Sequence, residues 1–578
     1  TGFDPDADQN LFAGTCAGGT YDPASGSACF NLFIGSCAGK SITEGDYNIF
    51  LGHNAGCEST TGNKNVFLGS NVGLANTTGS CNNMIGVGAG ECATVTGSHN
   101  TFLGTDAGKC ATGSGNYNNF IGISAGCVNT TGNQNTFIGT NAGRGNTTGS
   151  CNNMIGVGAG RCATVTGSHN NFFGTYAGKC ATGDGNYNNF IGFNAGLNNT
   201  TGDCNIFIGN HAGTSNTTAQ KNIMIGDAAG NCATLTNSHN VFLGSCAGKC
   251  ATGDICYNNF IGFCAGFSND GGDDNNFFGR NAGRCNTIGN SNIFIGKNTG
   301  NSNTTGCDNV FLGTTVGTGN TSGSNNVYIG RNLATAATSS ASNTNVVIGS
   351  GSAGCISGNC NVILGQCIAA TTELSGSNNF IAGSCAGKTH TTGGVNVIIG
   401  VHAGSSNSGS SNVLLAECAG RNNTGTYNFF VGSAAGCNNT ANYGIFLGNR
   451  AGKCNTSGTG NIFIGCESGC GGTITGNHNT SLGTSSGRNL SSGAFNTFLG
   501  LSAGKGVTSG LCNIYIGCAA GGGTGDKTGT GNVAMGANTG CLMTSGSTNV
   551  FLGHLAANTQ TSGSNNIAIG CGVQLPTI

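Results

Sequence analysis

The chain has 578 residues with a formal net charge of −2; only 7% are charged, 110 are glycine, three are proline and none is tryptophan. Such low charge, against roughly 25% in ordinary soluble domains, argues against a monomer kept in solution by a charged surface. The near-neutral balance and the lack of a basic run argue against a nucleic-acid partner, and no stretch of about twenty apolar residues is present to span a bilayer.

Along the chain, residues 1–9 form a short N-terminal segment in which Asp4, Asp6 and Asp8 alternate with other residues. At Asn10-Leu11-Phe12-Ala13-Gly14 a motif begins that is still running at Asn566-Ile567-Ala568-Ile569-Gly570. Its core is Asn-x-Phe-Ile-Gly-x-x-Ala-Gly, followed by a polar Asn/Thr/Gly stretch. Aligned on the glycine after the apolar pair (Gly14, Gly35, Gly52, Gly69 and onward), it has thirty-three anchors, Ala416 standing in once, mostly 16 to 19 residues apart. A period this short makes each repeat one turn of a solenoid, too small to bury a core alone and stable only when stacked. The expected fold is all-β: a parallel β-solenoid or β-roll of about 33 coils with amyloid-like stacking. Residues 10–571 are expected to form one continuous array, with 572–578 as a tail.

Within a repeat, Asn135-Thr136-Phe137-Ile138-Gly139 reads as a strand ending at a corner. The residue before the anchor is nearly always a large aliphatic or aromatic, so Ile138 and its equivalents are expected to fill the lumen. One position earlier phenylalanine recurs, as Phe50, Phe67, Phe102, Phe120 and Phe137. Neighbouring strand residues point to opposite faces, so two adjacent apolar positions imply a strand covered on both sides, by a second sheet of the coil or by another subunit. Gly139-Thr140-Asn141-Ala142-Gly143 supplies small residues for a tight corner, and Asn146-Thr147-Thr148-Gly149 is turn-rich. Asparagines before the strand, such as Asn65, Asn100 and Asn135, are expected to stack as a ladder. A superperiod of 70 residues, four coils, is visible in 81–150 and 151–220. It carries His99, His169 and His239, which lie too far apart to share a metal and read as turn residues copied by duplication.

Thirty-two cysteines point to an oxidising, extracellular setting. Cys92 with Cys110, Cys162 with Cys180, and Cys232 with Cys250 sit six residues after neighbouring anchors; Cys246 with Cys264, and Cys367 with Cys385, sit two after theirs. Coils about 4.8 Å apart bring such pairs into the roughly 4.4–6.8 Å Cα range of a disulfide. A structural zinc site is the competitor, but no CxxC…CxxC pair occurs. Asp4, Asp6 and Asp8, and Asp270, Asp273 and Asp274, offer oxygen ligands for Ca²⁺, although neither group fits an EF-hand or a nonapeptide Ca²⁺ repeat. No other cofactor is expected. Sequons at Asn76, Asn129, Asn146, Asn199, Asn216, Asn303 and Asn320, and also at Asn438 and Asn489, mark glycosylation candidates in a secreted chain. The same Asn-Thr-Thr-Gly run is equally good turn chemistry.

Asn65-Val66-Phe67-Leu68-Gly69-Ser70 and Asn566-Ile567-Ala568-Ile569-Gly570 resemble the head repeats of YadA-type trimeric adhesins, which carry a Val-Ala-Ile-Gly strand in a left-handed parallel β-roll. The resemblance covers most of the chain and implies a β-roll; the period near 17, the cysteines and the lack of a heptad stalk depart from it. In overall character the chain also resembles the disulfide-stitched, amyloid-like sheath proteins of filamentous methanogenic archaea. No catalytic constellation is present, so no enzymatic activity is expected. The reading that follows is an extracellular structural protein, its only partner further copies of itself stacked end to end and also laterally, locked by disulfides into a sheath or filament. An adhesin or receptor-binding fibre shaft is the alternative and an ice-binding solenoid the third.

Overall fold

Each repeat forms one short strand and a glycine-cornered turn that carries the chain round to begin the next strand beside the last. The structure, a computed structural model, describes the chain apart from residues 1–4, 23–27, 93–95, 163, 337–342, 369–372 and 576–578. It divides into two compact units, Thr1–Ile295 and Gly296–Ile578. The first carries seventeen repeat strands, from Leu11–Ala13 to Ile293–Ile295, and the second sixteen, from Val310–Val316 to Ile567–Ile569. Within each unit successive strands pair in parallel and in register, as Thr136–Ile138 does with Asn119–Ile121 on one side and Asn153–Ile155 on the other. No helix occurs among the described residues, so none is long and apolar enough to cross a membrane. The fold is a parallel β-solenoid of coils about 17 residues long. The polar half of the coil adds two short parallel pairs, Thr234–Leu235 with Thr252–Gly253 and Cys355–Ile356 with Glu373–Leu374.

The pleat decides which side chains enter the lumen. Phe137 is fully buried, whereas Thr136 and Ile138 on either side of it point outward and Ile138 is 36% exposed. The expectation that the residue before the anchor fills the lumen is therefore corrected: the phenylalanine column is the core, and the Ile/Leu column is an outer face. The reason is room. Opposite each ring lies the Ala-Gly corner, and a Cβ on Gly143, whose φ is +56°, would stand 2.5 Å from the Phe137 ring. The coil is therefore closed around one large side chain. Rings stack at centroid distances of 4.7 Å for Phe50 on Phe67 and 4.9 Å for Phe102 on Phe120 and for Phe120 on Phe137. Met84, Met154 and Met224 take the same place once per superperiod, a flexible filler where the ladder skips a ring.

The anchor glycines are equally constrained. Gly139 has φ +130°, and a Cβ there would meet the carbonyl oxygen of Gly156, one coil on, at 2.6 Å. Ala416, the single stand-in, adopts φ +104°, a region costly for any residue with a Cβ.

The asparagine ladder forms as expected and is buried from Asn10 to Asn549, the last rung, Asn566, being half-buried. The Asn135 backbone N–H donates to Asn118 Oδ1 (3.0 Å), Asn135 Nδ2 donates to Gly149 O (2.9 Å), and Asn135 Oδ1 in turn accepts the Asn152 N–H (2.9 Å). Each amide thus bridges coils and meets the obligation that buried polar groups be paired.

Candidate functional site

Among the described residues no group of three or more His, Cys, Asp or Glu is placed to hold a metal ion. Asp6 Oδ1 accepts the backbone N–H of Asp8 (3.0 Å) and of Asn10 (2.7 Å), and Asp273 Oδ1 accepts the Cys256 N–H (2.8 Å). The Asp270 carboxylate accepts the Thr252 hydroxyl. Asp4 lies outside the described residues. The chemistry of this chain sits in columns, because a residue at one position of the coil recurs every strand spacing along the unit.

The first column is the outer face of the sheet. Every residue before an anchor, from Ala13 to Ile569, is apolar, and those columns face solvent: Ile191, Ile348, Ile399 and Leu499 are 40 to 44% exposed. In the second unit the other outward strand position is apolar as well, from Val310 to Ile567, broken only by Thr480 and Thr497. Exposed apolar patches beyond a few hundred Å² mark interaction surfaces. Sixteen strands about three residues wide at the strand spacing present roughly 800 Å².

The second column holds a sequon set. Asn76, Asn129, Asn146, Asn199, Asn216 and Asn303 are fully buried and Asn320 nearly so. Asn146 Nδ2 donates to Asn129 Oδ1 (2.6 Å) and to Gly149 O (3.0 Å), Asn216 Nδ2 to Asn199 Oδ1 (2.9 Å), and Asn320 Nδ2 to Asn303 Oδ1 (2.9 Å). These amides form a second internal ladder, with no room for a glycan on the folded coil. Of the two readings of these sequons, their burial fits the turn chemistry and not the glycosylation: the Asn-Thr-Thr-Gly turn directs the asparagine inward and the threonine outward. Asn438 and Asn489, by contrast, are exposed.

The third column is the corner after Ala-Gly, where thiols and cations gather. The thiols of Cys92 and Cys110 lie close enough across one coil to interact electrostatically, as do those of Cys162 with Cys180, Cys232 with Cys250, and Cys110 with Cys127. Burial first, and then the neighbouring thiol, push Cys110 and Cys180 above the ordinary thiol range. Cys246 and Cys264 meet in the same way at the second cysteine position. Cys367 and Cys385 occupy equivalent places in successive coils, the Cys385 N–H donating to Gln366 O (2.8 Å). A row of four, Cys418, Cys437, Cys454 and Cys470, crosses consecutive coils of the second unit. All thirty-two cysteines are thiols in this structure.

The cations on this corner are what reasoning along the sequence missed. Twelve of the nineteen lysines and arginines stand five residues after an anchor, among them Lys109, Arg144, Arg161, Lys388, Arg421 and Lys453. No basic run exists in the sequence, yet the coil period assembles a basic column in space. Counting charges by distance from the anchor glycine would have found it. Two of the described cavities straddle it: one of about 370 Å³ between Arg144 and Arg161, and one of about 320 Å³ between Lys388 and Arg421.

A fourth column carries exposed aromatic pairs. His99 stacks on Tyr117, His169 on Tyr187 and His239 on Tyr257, at 4.9, 4.8 and 5.3 Å, repeating with the superperiod. The copied histidines sit in left-handed turns, φ +62° to +70°, as their turn reading implies.

Comparison with protein-family models and with curated proteins finds no match for this chain.

Proposed function

We propose that the chain is an extracellular structural protein, of the kind the sheath resemblance suggests, that self-assembles into a protective sheath or filament and is locked by disulfides. The observation that carries this reading is the outer apolar face. Its roughly 800 Å² in the second unit alone is the size that one partner contributes to an ordinary stable interface, about 800 Å². A second copy of this chain is the occupant best matched to it. Two such faces share one strand spacing, so their Ile, Val and Leu rows interdigitate coil after coil without drift, as in dry zipper interfaces between sheets. A partner with any other repeat would fall out of step within a few coils. Stacking of coils between copies, end to end, would extend the same pairing that builds each unit.

The thiol pairs supply the lock. Their spacing meets the distance condition for disulfides, and each bond would contribute about 2–4 kcal/mol, least where the closed loop is one coil. The test is electron microscopy of the assembled protein with and without reductant, beside an Ile399→Asp, Leu499→Asp variant. Long fibres or sheets that survive detergent, loosen on reduction and fail to form in the variant are expected. Discrete rods in every condition would overturn the proposal and favour a fibre shaft.

A further inference from the structure

We propose that the basic corner column is a docking surface for a linear acidic polysaccharide, a polymer of uronate or sulfated sugars lying along the stacking direction of the coils. In the second unit Lys388, Arg421, Lys453 and Arg488 fall on every second coil, with Ser405, Cys437 and Cys470 on the coils between, and Lys505 follows on the coil after Arg488. At the strand spacing of about 4.8 Å this places a cation roughly every 10 Å along the column. An extended two-fold chain of 1,4-linked uronates, polygalacturonate among them, advances by about one coil spacing per sugar and turns alternate sugars over. Carboxylates on one edge of it therefore recur with the same two-coil period as the cations.

The cavities are consistent with that ligand. Lys388 and Arg421, two coils apart, flank one lined between them by His402, Ser405 and Ser406; Arg144 and Arg161, on adjacent coils and so outside the two-coil period, flank one lined by Cys162 and Thr164; no carboxylate lines either. A pair of cations around hydroxyls, with no competing acid, is the donor set that holds a carboxylate or sulfate while reading adjacent sugar hydroxyls. Neither Lys388 nor Arg421 forms an ion pair among the described residues, whereas Arg488 already shares Glu467 with Arg450. The first two are therefore the strongest anion sites in the row.

Nucleic acid is the rival occupant, and the column suits it less. Single strands are held by stacking bases on aromatic side chains, and this corner of the second unit presents none at its fifth or sixth position after the anchor from Lys388 to Gly506. The column is also distinct from the apolar face, so the inference stands or falls apart from the assembly reading.

The experiment titrates the full chain with polygalacturonate at several salt concentrations, with dextran as the uncharged control and single-stranded and duplex DNA as rival polyanions. Polygalacturonate is expected to bind at low salt and dextran to be silent. Lys388→Gln with Arg421→Gln is expected to weaken binding by about tenfold and to lower the slope of log affinity on log salt by about 1.4, roughly 0.7 per cation removed as for a single-stranded polyanion. Both residues are exposed, so glutamine there leaves the coil intact. DNA binding as tight as that of polygalacturonate would overturn the inference in favour of a nucleic-acid surface. No binding of polygalacturonate, or binding unchanged in the double variant, would also overturn it.

Discussion

Phe137 and Ile138 are adjacent, both apolar and both in the same three-residue strand, yet the fold should treat their loss very differently. Phe137→Ala deletes a fully buried ring that lies on Phe120 at 4.9 Å and faces Met154 in the next coil. The facing corner cannot close the gap, because Gly143 is held at φ +56° against the ring. With little relaxation available, the cost should lie within the usual range for Phe→Ala in cores, about 3–5 kcal/mol. Ile138 keeps 36% of its surface in solvent, so truncation to alanine should cost the dispersed protein only about 1 kcal/mol, well under the roughly 1.5–3 kcal/mol of a fully buried aliphatic side chain. Solenoids unfold by local opening rather than in one step. The assay is therefore hydrogen exchange resolved to the coils around residues 120–160, supported by urea midpoints. Phe137→Ala should lose protection across its own and both neighbouring coils, and Ile138→Ala should leave exchange nearly unchanged. Equal losses, or the larger loss at Ile138, would refute the assignment of the phenylalanine column to the lumen.

Other expectations follow from single residues. Lys527 is 3% exposed and donates to the carbonyls of Cys541 (2.6 Å) and Met543 (2.8 Å), and burial pulls its pKa from the ordinary 10.5 down to about 8. Between those two values the unfolded chain holds a proton that the folded chain has lost, so stability from this group rises with pH across that window, by about 3 kcal/mol in all. Below pH 8 both states are charged and the full cost remains. The stability difference between the parent and Lys527→Met, which cancels the titrating thiols, should rise from pH 8 to 10.5; a flat difference in paired urea titrations would refute this. Ala416→Gly should raise the unfolding midpoint by relieving an alanine at φ +104°, a gain of about 1 kcal/mol; a drop in the midpoint would show that the alanine methyl is an asset. Asn146→Ala removes the donor to Asn129 Oδ1 and Gly149 O and should cost about 1–3 kcal/mol, whereas a glycan recovered at Asn146 by peptide mass spectrometry of folded protein would contradict its burial.

The class of fold was written in the chain. Thirty-three recurrences of one motif admit little except stacked coils, because a repeat of about 17 residues cannot bury a core by itself. The asparagine before each strand was legible as a ladder for the same reason: identical residues in register must meet, and an amide can bond to its own copy above and below. That equivalent cysteines of neighbouring coils come near one another follows from strand spacing alone, while the thiols themselves stay unbonded in this structure.

Orientation was left to the tertiary structure. Phe137 and Ile138 are both good lumen residues by composition, and only closure of the coil around the Gly143 corner selects one and turns the other out. The sequons read as surface turns because Asn-Thr-Thr-Gly is a turn, but a turn does not say which of its side chains points inward; the backbone of the polar half sends Asn146 to the ladder. The charges were the furthest from view. Lys388, Arg421 and Lys453 lie more than thirty residues apart in the sequence, and they become neighbours two coils apart only when the solenoid folds the distance away.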